Sequence, residues 1–213
     1  MTHIPEKEVL RYLGAADSED EALLVQVRAL CADMEKRIRP RSVYQEYPCT
    51  VTEDAVSFGS TVFPGTDLAR HLRGCSALLL FSATLGTEAD RMARMERARS
   101  MARGAIVHAA GAAMIEQYCD DMQETLSARY REKGLYLRPR YSPGYGDLPL
   151  ARQADFFSLL SLNKRLGLSL NEEFLMTPSK SVTAVIGLSA EPQKSFHKCL
   201  RCGKLDCPFR REG

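Results

Sequence analysis

Ser76-Ala77-Leu78-Leu79-Leu80-Phe81-Ser82-Ala83-Thr84 is the stretch on which the fold turns. Ala77 to Phe81 is an unbroken apolar run of strand length, with no alternation of polar residues. A strand of that kind is covered on both faces, so it predicts the central strand of a sheet with material packed above and below it. Leu85-Gly86-Thr87 then turns the chain into a long stretch, Glu88 to Lys133, rich in Ala, Met, Arg and Glu. Those are good helix formers. Gly104 and Gly111 inside that stretch either break or bend the helix or permit close packing.

Upstream, Pro5 suits the first turn of a short helix through Leu13, stopped by Gly14. Ser18 is the expected N-cap of the next helix, where Leu23, Leu24, Val27, Leu30, Cys31, Met34 and Ile38 recur at helical spacing and which ends before Pro40. Between Ser42 and Phe63 the texture is β-rich. Val43-Tyr44, Cys49 to Thr52, Val56 to Phe58 and Thr61 to Phe63 read as short pieces split by Pro48, Gly59 and Pro64. Thr66 or Asp67 starts a helix through Leu72. Downstream, Leu135 to Leu137 reads as a strand and Arg138 to Pro149 as a loop. Ala151 to Leu166 reads as a helix stopped by Gly167. Phe174 to Met176 and Val182 to Leu188 read as strands paired around Pro178-Ser179-Lys180. Strands and helices mix without β-α-β alternation, which predicts an α+β fold with helices around a mainly antiparallel sheet and a short Cys-rich C-terminal tail. The expected division is one domain over residues 1–190 and a tail over 191–213.

The 213 residues are 45% hydrophobic and 26% charged, with a formal net charge of +2. That composition fits a globular protein, and its balance calls for no nucleic-acid partner. No apolar run approaches the roughly 20 residues that span a bilayer, so no membrane segment is expected. Met1-Thr-His-Ile-Pro-Glu-Lys-Glu8 has no basic region followed by an apolar stretch, and a cytoplasmic location is the expectation. Seven cysteines, an odd count, argue against a disulfide framework. No Gly-x-Gly-x-x-Gly or Walker phosphate loop occurs, and no catalytic triad or paired-carboxylate motif. The four histidines His3, His71, His108 and His197 are isolated and read as structural.

Arg138-Pro-Arg140-Tyr-Ser-Pro143-Gly144-Tyr145-Gly146-Asp-Leu-Pro149 carries the chemistry. Gly144 and Gly146 admit backbone angles closed to other residues and let a ligand approach the main chain. Tyr145 offers an aromatic face and a hydroxyl, and Arg140 a planar fork suited to a carboxylate. The bland alternative is a rigid turn with a surface arginine. Downstream follows Leu168-Ser-Leu-Asn-Glu-Glu-Phe174-Leu-Met176-Thr-Pro178-Ser-Lys-Ser181-Val-Thr-Ala184.

Together these segments resemble the activation domain of cobalamin-dependent methionine synthase, which has an Arg-Pro-x-Pro-Gly-Tyr loop, a helix, then a stretch like Leu-Thr-Glu-Ser-Phe-x-Met-x-Pro-x-x-Ser-Val. Ile115-Glu116-Gln117-Tyr118 resembles that family's helix bearing a ligand-binding glutamate. The resemblance spans about residues 114 to 190, and departs where the family's Pro-Ala-Cys-Pro is replaced by Gly146-Asp-Leu-Pro149. It implies that Arg140 holds the carboxylate of S-adenosylmethionine, that Tyr145 lies near its reacting end, and that Glu116 lies near its positive charge. It implies a partner, the cobalamin-binding module of methionine synthase, and an electron-donor protein. The expected function is reductive re-methylation of that partner's cobalamin. Reactivation of another corrinoid methyltransferase, and a non-enzymatic metal-dependent interaction module, are the alternatives.

The tail is a separate feature. Cys199-Leu-Arg-Cys202-Gly203-Lys-Leu-Asp-Cys207 has metal-ligand spacing, for zinc or an iron–sulfur cluster, with His197, Cys49 or an outside group as a fourth ligand. The resemblance says nothing about it.

Overall fold

A computed structural model describes residues 2–192. Two helices open the chain: α1 over Glu6–Tyr12 and α2 over Glu21–Arg37. The N-cap of α2 is Asp20, not Ser18; the Asp20 carboxylate accepts from the Ala22 and Leu23 amides, while Ser18 Oγ accepts from Asp20 N at 3.3 Å. The strands β1 over Arg41–Val51, β2 over Ala55–Phe58 and β3 over Thr61–Pro64 follow, then α3 over Thr66–His71 and β4 over Cys75–Thr84. Helices α4, Thr87–Arg99, and α5, Met101–Arg131, come next, then β5, Tyr136–Leu137. After the loop and a short 3-10 turn come α6, Gln153–Leu160, and α7, Leu162–Leu166. Strands β6, Ser169–Leu170, β7, Met176–Thr177, and β8, Ser181–Ser189, close the described chain.

The six-stranded sheet runs β3-β2-β1-β4-β8-β5, and every pairing in it is antiparallel. This bears out the α+β expectation and the place of β4 at its centre. Period-two alternation sorts β4 and β8 into two cores. Leu79, Phe81, Ala83, Ala184, Ile186 and Leu188 face α1, α2, α4 and α5, while Leu78, Leu80 and Val185 face α3, α6, α7 and the β2–β3 hairpin. The result is three layers with the sheet in the middle. Leu78, Leu79 and Leu80 are wholly buried, and each contributes about 1.5–3 kcal/mol by leaving water.

Several local expectations give way. The β-rich region is not split at Pro48: β1 runs through it, pairing with β4 as far as Pro48↔Ala77 and with β2 from Cys49↔Phe58. A residue with no N–H to donate thus sits where the strand changes partners. The long helix breaks at Ser100, whose extended backbone (φ −162°, ψ 135°) separates α4 from α5. Gly104 and Gly111 stay helical because other groups pack over them. A Cβ on Gly104 would stand 2.7 Å from Arg97 Cβ, and one on Gly111 3.1 Å from Lys180 Cε. The helix predicted over 151–166 is interrupted at Ser161, which takes a left-handed conformation at φ 53°. Finally, the last strands do not pair with each other. β7 pairs with β6, and β8, buried along most of its length, inserts between β4 and β5. No helix among the described residues is long and apolar enough to cross a membrane.

Candidate functional site

The site is built on the outer face of α5 and the segment after β5. Glu116, Asp120 and Gln123 stand at i, i+4 and i+7 of one helix and so line one face of it. The segment Arg138–Tyr141 is fixed alongside through the edge of β8. Arg138 N donates to Gly187 O at 2.8 Å, and Tyr141 and Val185 exchange backbone hydrogen bonds at 2.9 and 2.8 Å. The two arginines of Arg138-Pro139-Arg140 then part company. Arg138 is buried against Arg73 O and Ser189 Oγ. Arg140 turns to α5.

There the Arg140 guanidinium meets three side chains. Nη1 donates to Gln123 Oε1 at 3.0 Å, and Nη2 donates to Asp120 Oδ1 at 2.7 Å and to Glu116 Oε2 at 3.2 Å. The arginine side chain is only 10% exposed, whereas the two carboxylates are about half exposed. Burial works against the charge, but the Asp120 hydrogen bond and the neighbouring negative charges outweigh it and raise the guanidinium above its ordinary value. Arginine has five donors. Its Nε–H and the second Nη1 hydrogen have no hydrogen-bond partner among the described residues. Asp120, Gln123, Glu124, Ser127, Pro139 and Arg140 line an open cleft of about 380 Å³ here. Beneath it, burial pushes the Cys119 thiol up to about 12, which makes it an inert packing group.

The remaining loop is held from the other side. His71 Nε2 lies 2.8 Å from Pro139 O, and the His71 ring packs on Tyr141 at 5.1 Å between centroids. The Asp147 carboxylate accepts from Asp67 N and Thr66 Oγ1, capping α3 from a distant part of the chain. These bonds, the Asp67 amide foremost, hold the Asp147 carboxyl below the usual carboxylate range. Gly144 and Gly146 have φ of +89° and +50°. A Cβ on Gly146 would collide with Tyr141 Oη and stand 2.8 Å from Asp67 Oδ2, so the turn itself demands glycine there. Gly144 N and Tyr145 N donate within the turn, to Leu148 O and Ser142 O. Tyr145 is 65% exposed, its ring presented outward.

The structure thus joins Arg140 to Glu116 and places Gly144, Tyr145 and Gly146 farther along the same loop, beside α3. Asp120 and Gln123 escaped the sequence reading, though their four- and seven-residue spacing from Glu116 was there to be read. His71, Tyr141 and Asp147 carried no local signal. In the second motif Ser181 Oγ bonds Thr84 Oγ1 and Ser179 bonds Asp90, which anchors the approach to β8. Cys199, Cys202, Cys207 and His197 lie outside the described residues; among the described residues no cluster of three or more His, Cys, Asp or Glu side chains is placed to hold a metal.

The chain belongs to the family described as vitamin B12 dependent methionine synthase, activation domain, which matches residues 89–207. Among solved structures, a crystal structure of the MetH reactivation domain bound to AdoHcy is similar in fold. Its TM-score is 0.62 over 84% of this chain and 70% of that one, at 21% sequence identity. No curated protein matches the chain.

Proposed function

We propose that this protein binds S-adenosylmethionine in the cleft beside Arg140 and supports reductive re-methylation of the cobalamin cofactor of methionine synthase. The observation that carries the proposal is the nearly buried Arg140 fork, flanked by Glu116 and Asp120, in a chain of the activation-domain family. The solved protein of the same fold holds AdoHcy, the demethylated form of that ligand.

The donor set fits an amino-acid ligand that also carries a cation. The open donors of Arg140 suit its carboxylate. Glu116 and Asp120, half in water, suit its ammonium and sulfonium charges. A cleft of about 380 Å³ falls in the range for small ligands. In this reading Tyr145, exposed farther along the same loop, would meet the ligand near its reacting end, and Gly144 and Gly146 shape the loop that carries it. S-adenosylmethionine supplies an activated methyl group and the partner's reduced corrinoid accepts it, so the hard chemistry belongs to the cofactors. The protein's own contribution is to hold and orient the donor. Its partners in this reading are the cobalamin-binding module of methionine synthase and an electron-donor protein, in the cytoplasm. Cys199, Cys202 and Cys207, with His197, form a metal site of the tail in the same reading. Metal analysis of protein purified with and without oxygen tests it, and protein free of metal both ways would end it.

The functional test uses a methionine synthase that lacks its own activation domain and carries oxidised, inactive cobalamin. With a reductant and methyl-labelled S-adenosylmethionine, label reaches the corrinoid when this protein is added and fails to do so with Arg140→Ala. Equal labelling without the protein contradicts the proposal.

A further inference from the structure

A second cleft, of about 370 Å³, lies where α4 and α5 pack together near the Ser100 break. It is lined by Ala93, Arg94, Arg97, Met101, Gly104, Ala105 and His108, apolar and basic groups without a carboxylate. Gly104 forms its floor because the α4 backbone at Arg97 approaches too closely for any side chain. Neighbouring arginines are already neutralised: Arg91 pairs with Glu88, and Arg99 and Arg103 pair with Glu96. Among the described residues Arg94 and Arg97 form no ion pair.

One more cation stands behind the wall. Lys180 lays its stem across Gly111, one turn along α5 from His108, and brings Nζ to 3.2 Å from His108 Nε2. Asp90 is the acid nearest this pair, and both its oxygens are taken by Ser179. The lysine lowers the histidine below its ordinary value and burial lowers the lysine, while the Asp90 charge works against both shifts.

We infer that this cleft is a binding site for a small phosphorylated molecule, with the phosphate between Arg94 and Arg97 near Lys180 and the apolar remainder on Met101, Gly104 and Ala105. Three cations call for a ligand with more than one negative charge, which a phosphate monoester carries and a lone carboxylate does not. Guanidinium groups match phosphate oxygens in geometry as well as charge. The volume is that of a small-ligand site. Met101 is 68% exposed and offers a polarisable apolar surface at the mouth. The cleft offers no Phe, Tyr or Trp ring on which nucleic-acid bases would stack.

Calorimetric titration with inorganic pyrophosphate and with phenyl phosphate tests this on the full chain. Saturable one-site binding of both is expected. Arg94→Ala and Arg97→Ala, at exposed positions, each weaken it about tenfold and leave S-adenosylmethionine affinity unchanged. Lys180→Met, which keeps the stem, weakens both probes, while Met101→Ala weakens phenyl phosphate alone. No saturable binding, or affinities unaltered in the arginine variants, overturns the inference. So does tight binding of polyglutamate with none of pyrophosphate, which would assign the cleft to an acidic protein.

Discussion

The two clefts on α5 are nearly equal in volume, about 380 and 370 Å³, and opposite in character. Toward the C-terminal half, Glu116, Asp120 and Gln123 hold one arginine, whose side chain is nearly buried and triply bonded. Toward the N-terminal half, Arg94, Arg97 and His108 line an apolar floor. The lesson is that a nearly neutral chain separates its charge between two helices, with carboxylates of α5 at one cleft and arginines of α4 at the other. A ligand bearing both a carboxylate and cationic groups is matched by the mixed cleft, and a multiply charged anion by the basic one.

The largest effect expected from breaking this arrangement is on the helix crossing beneath the basic cleft. Gly104→Val drives a branched side chain into the Arg97 backbone, 2.8 Å from the position of a Cβ. Overpacking of this kind costs about 1–3 kcal/mol. Urea denaturation reads it, and an unchanged midpoint would mean that α4 slides on α5 without penalty. A smaller effect sharpens the roles at the mixed cleft. Glu116→Gln removes a half-exposed charge worth about 0.2–1 kcal/mol. It should reduce the preference for S-adenosylmethionine over its demethylated product by up to about fivefold, because only the former carries the sulfonium charge. Equal losses for both ligands would place Glu116 away from the sulfonium. The smallest effect concerns pH. The Arg103 hydrogen bond, against burial, holds the Glu96 carboxyl below its ordinary value of 4.5, with Arg99 assisting. A depressed folded value means stability that is fully present above pH 4.5 and lost as pH falls through the depressed value. Glu96→Gln should flatten that acid limb of a stability–pH curve; an unaltered slope would show that the Ser100 junction owes nothing to this charge.

Much of this organisation could be read in advance, for identifiable reasons. β4 announced itself because burial on both faces leaves an apolar run, and α5 because its residues favour a helix throughout. The Arg140–Tyr145 loop and the Phe174–Val182 segment are local patterns, and a local pattern survives in a linear sequence. The path of β8 between β4 and β5 did not show, because pairing partners far apart in the chain, such as Tyr136 and Ser189 or Thr84 and Ser181, leave no mark on each other. The break at Ser100 was hidden by two more conspicuous glycines whose task is close packing. Of the α5 side chains that bond Arg140, Glu116 was named from the sequence and Asp120 and Gln123 were not, since only the course of Arg138–Tyr141 along β8 decides which face of α5 the arginine meets. Asp147 caps α3 across 80 residues of chain, a contact that tertiary structure alone creates.

The most direct test of the central claim is calorimetric titration of S-adenosylmethionine into the wild-type protein and into Arg140→Ala. The account predicts one-site binding by the wild type and a loss of roughly ten- to a hundredfold in the variant, about 1.5–3 kcal/mol for a charge-assisted contact. Equal affinity in the two proteins, or none in the wild type, would contradict it.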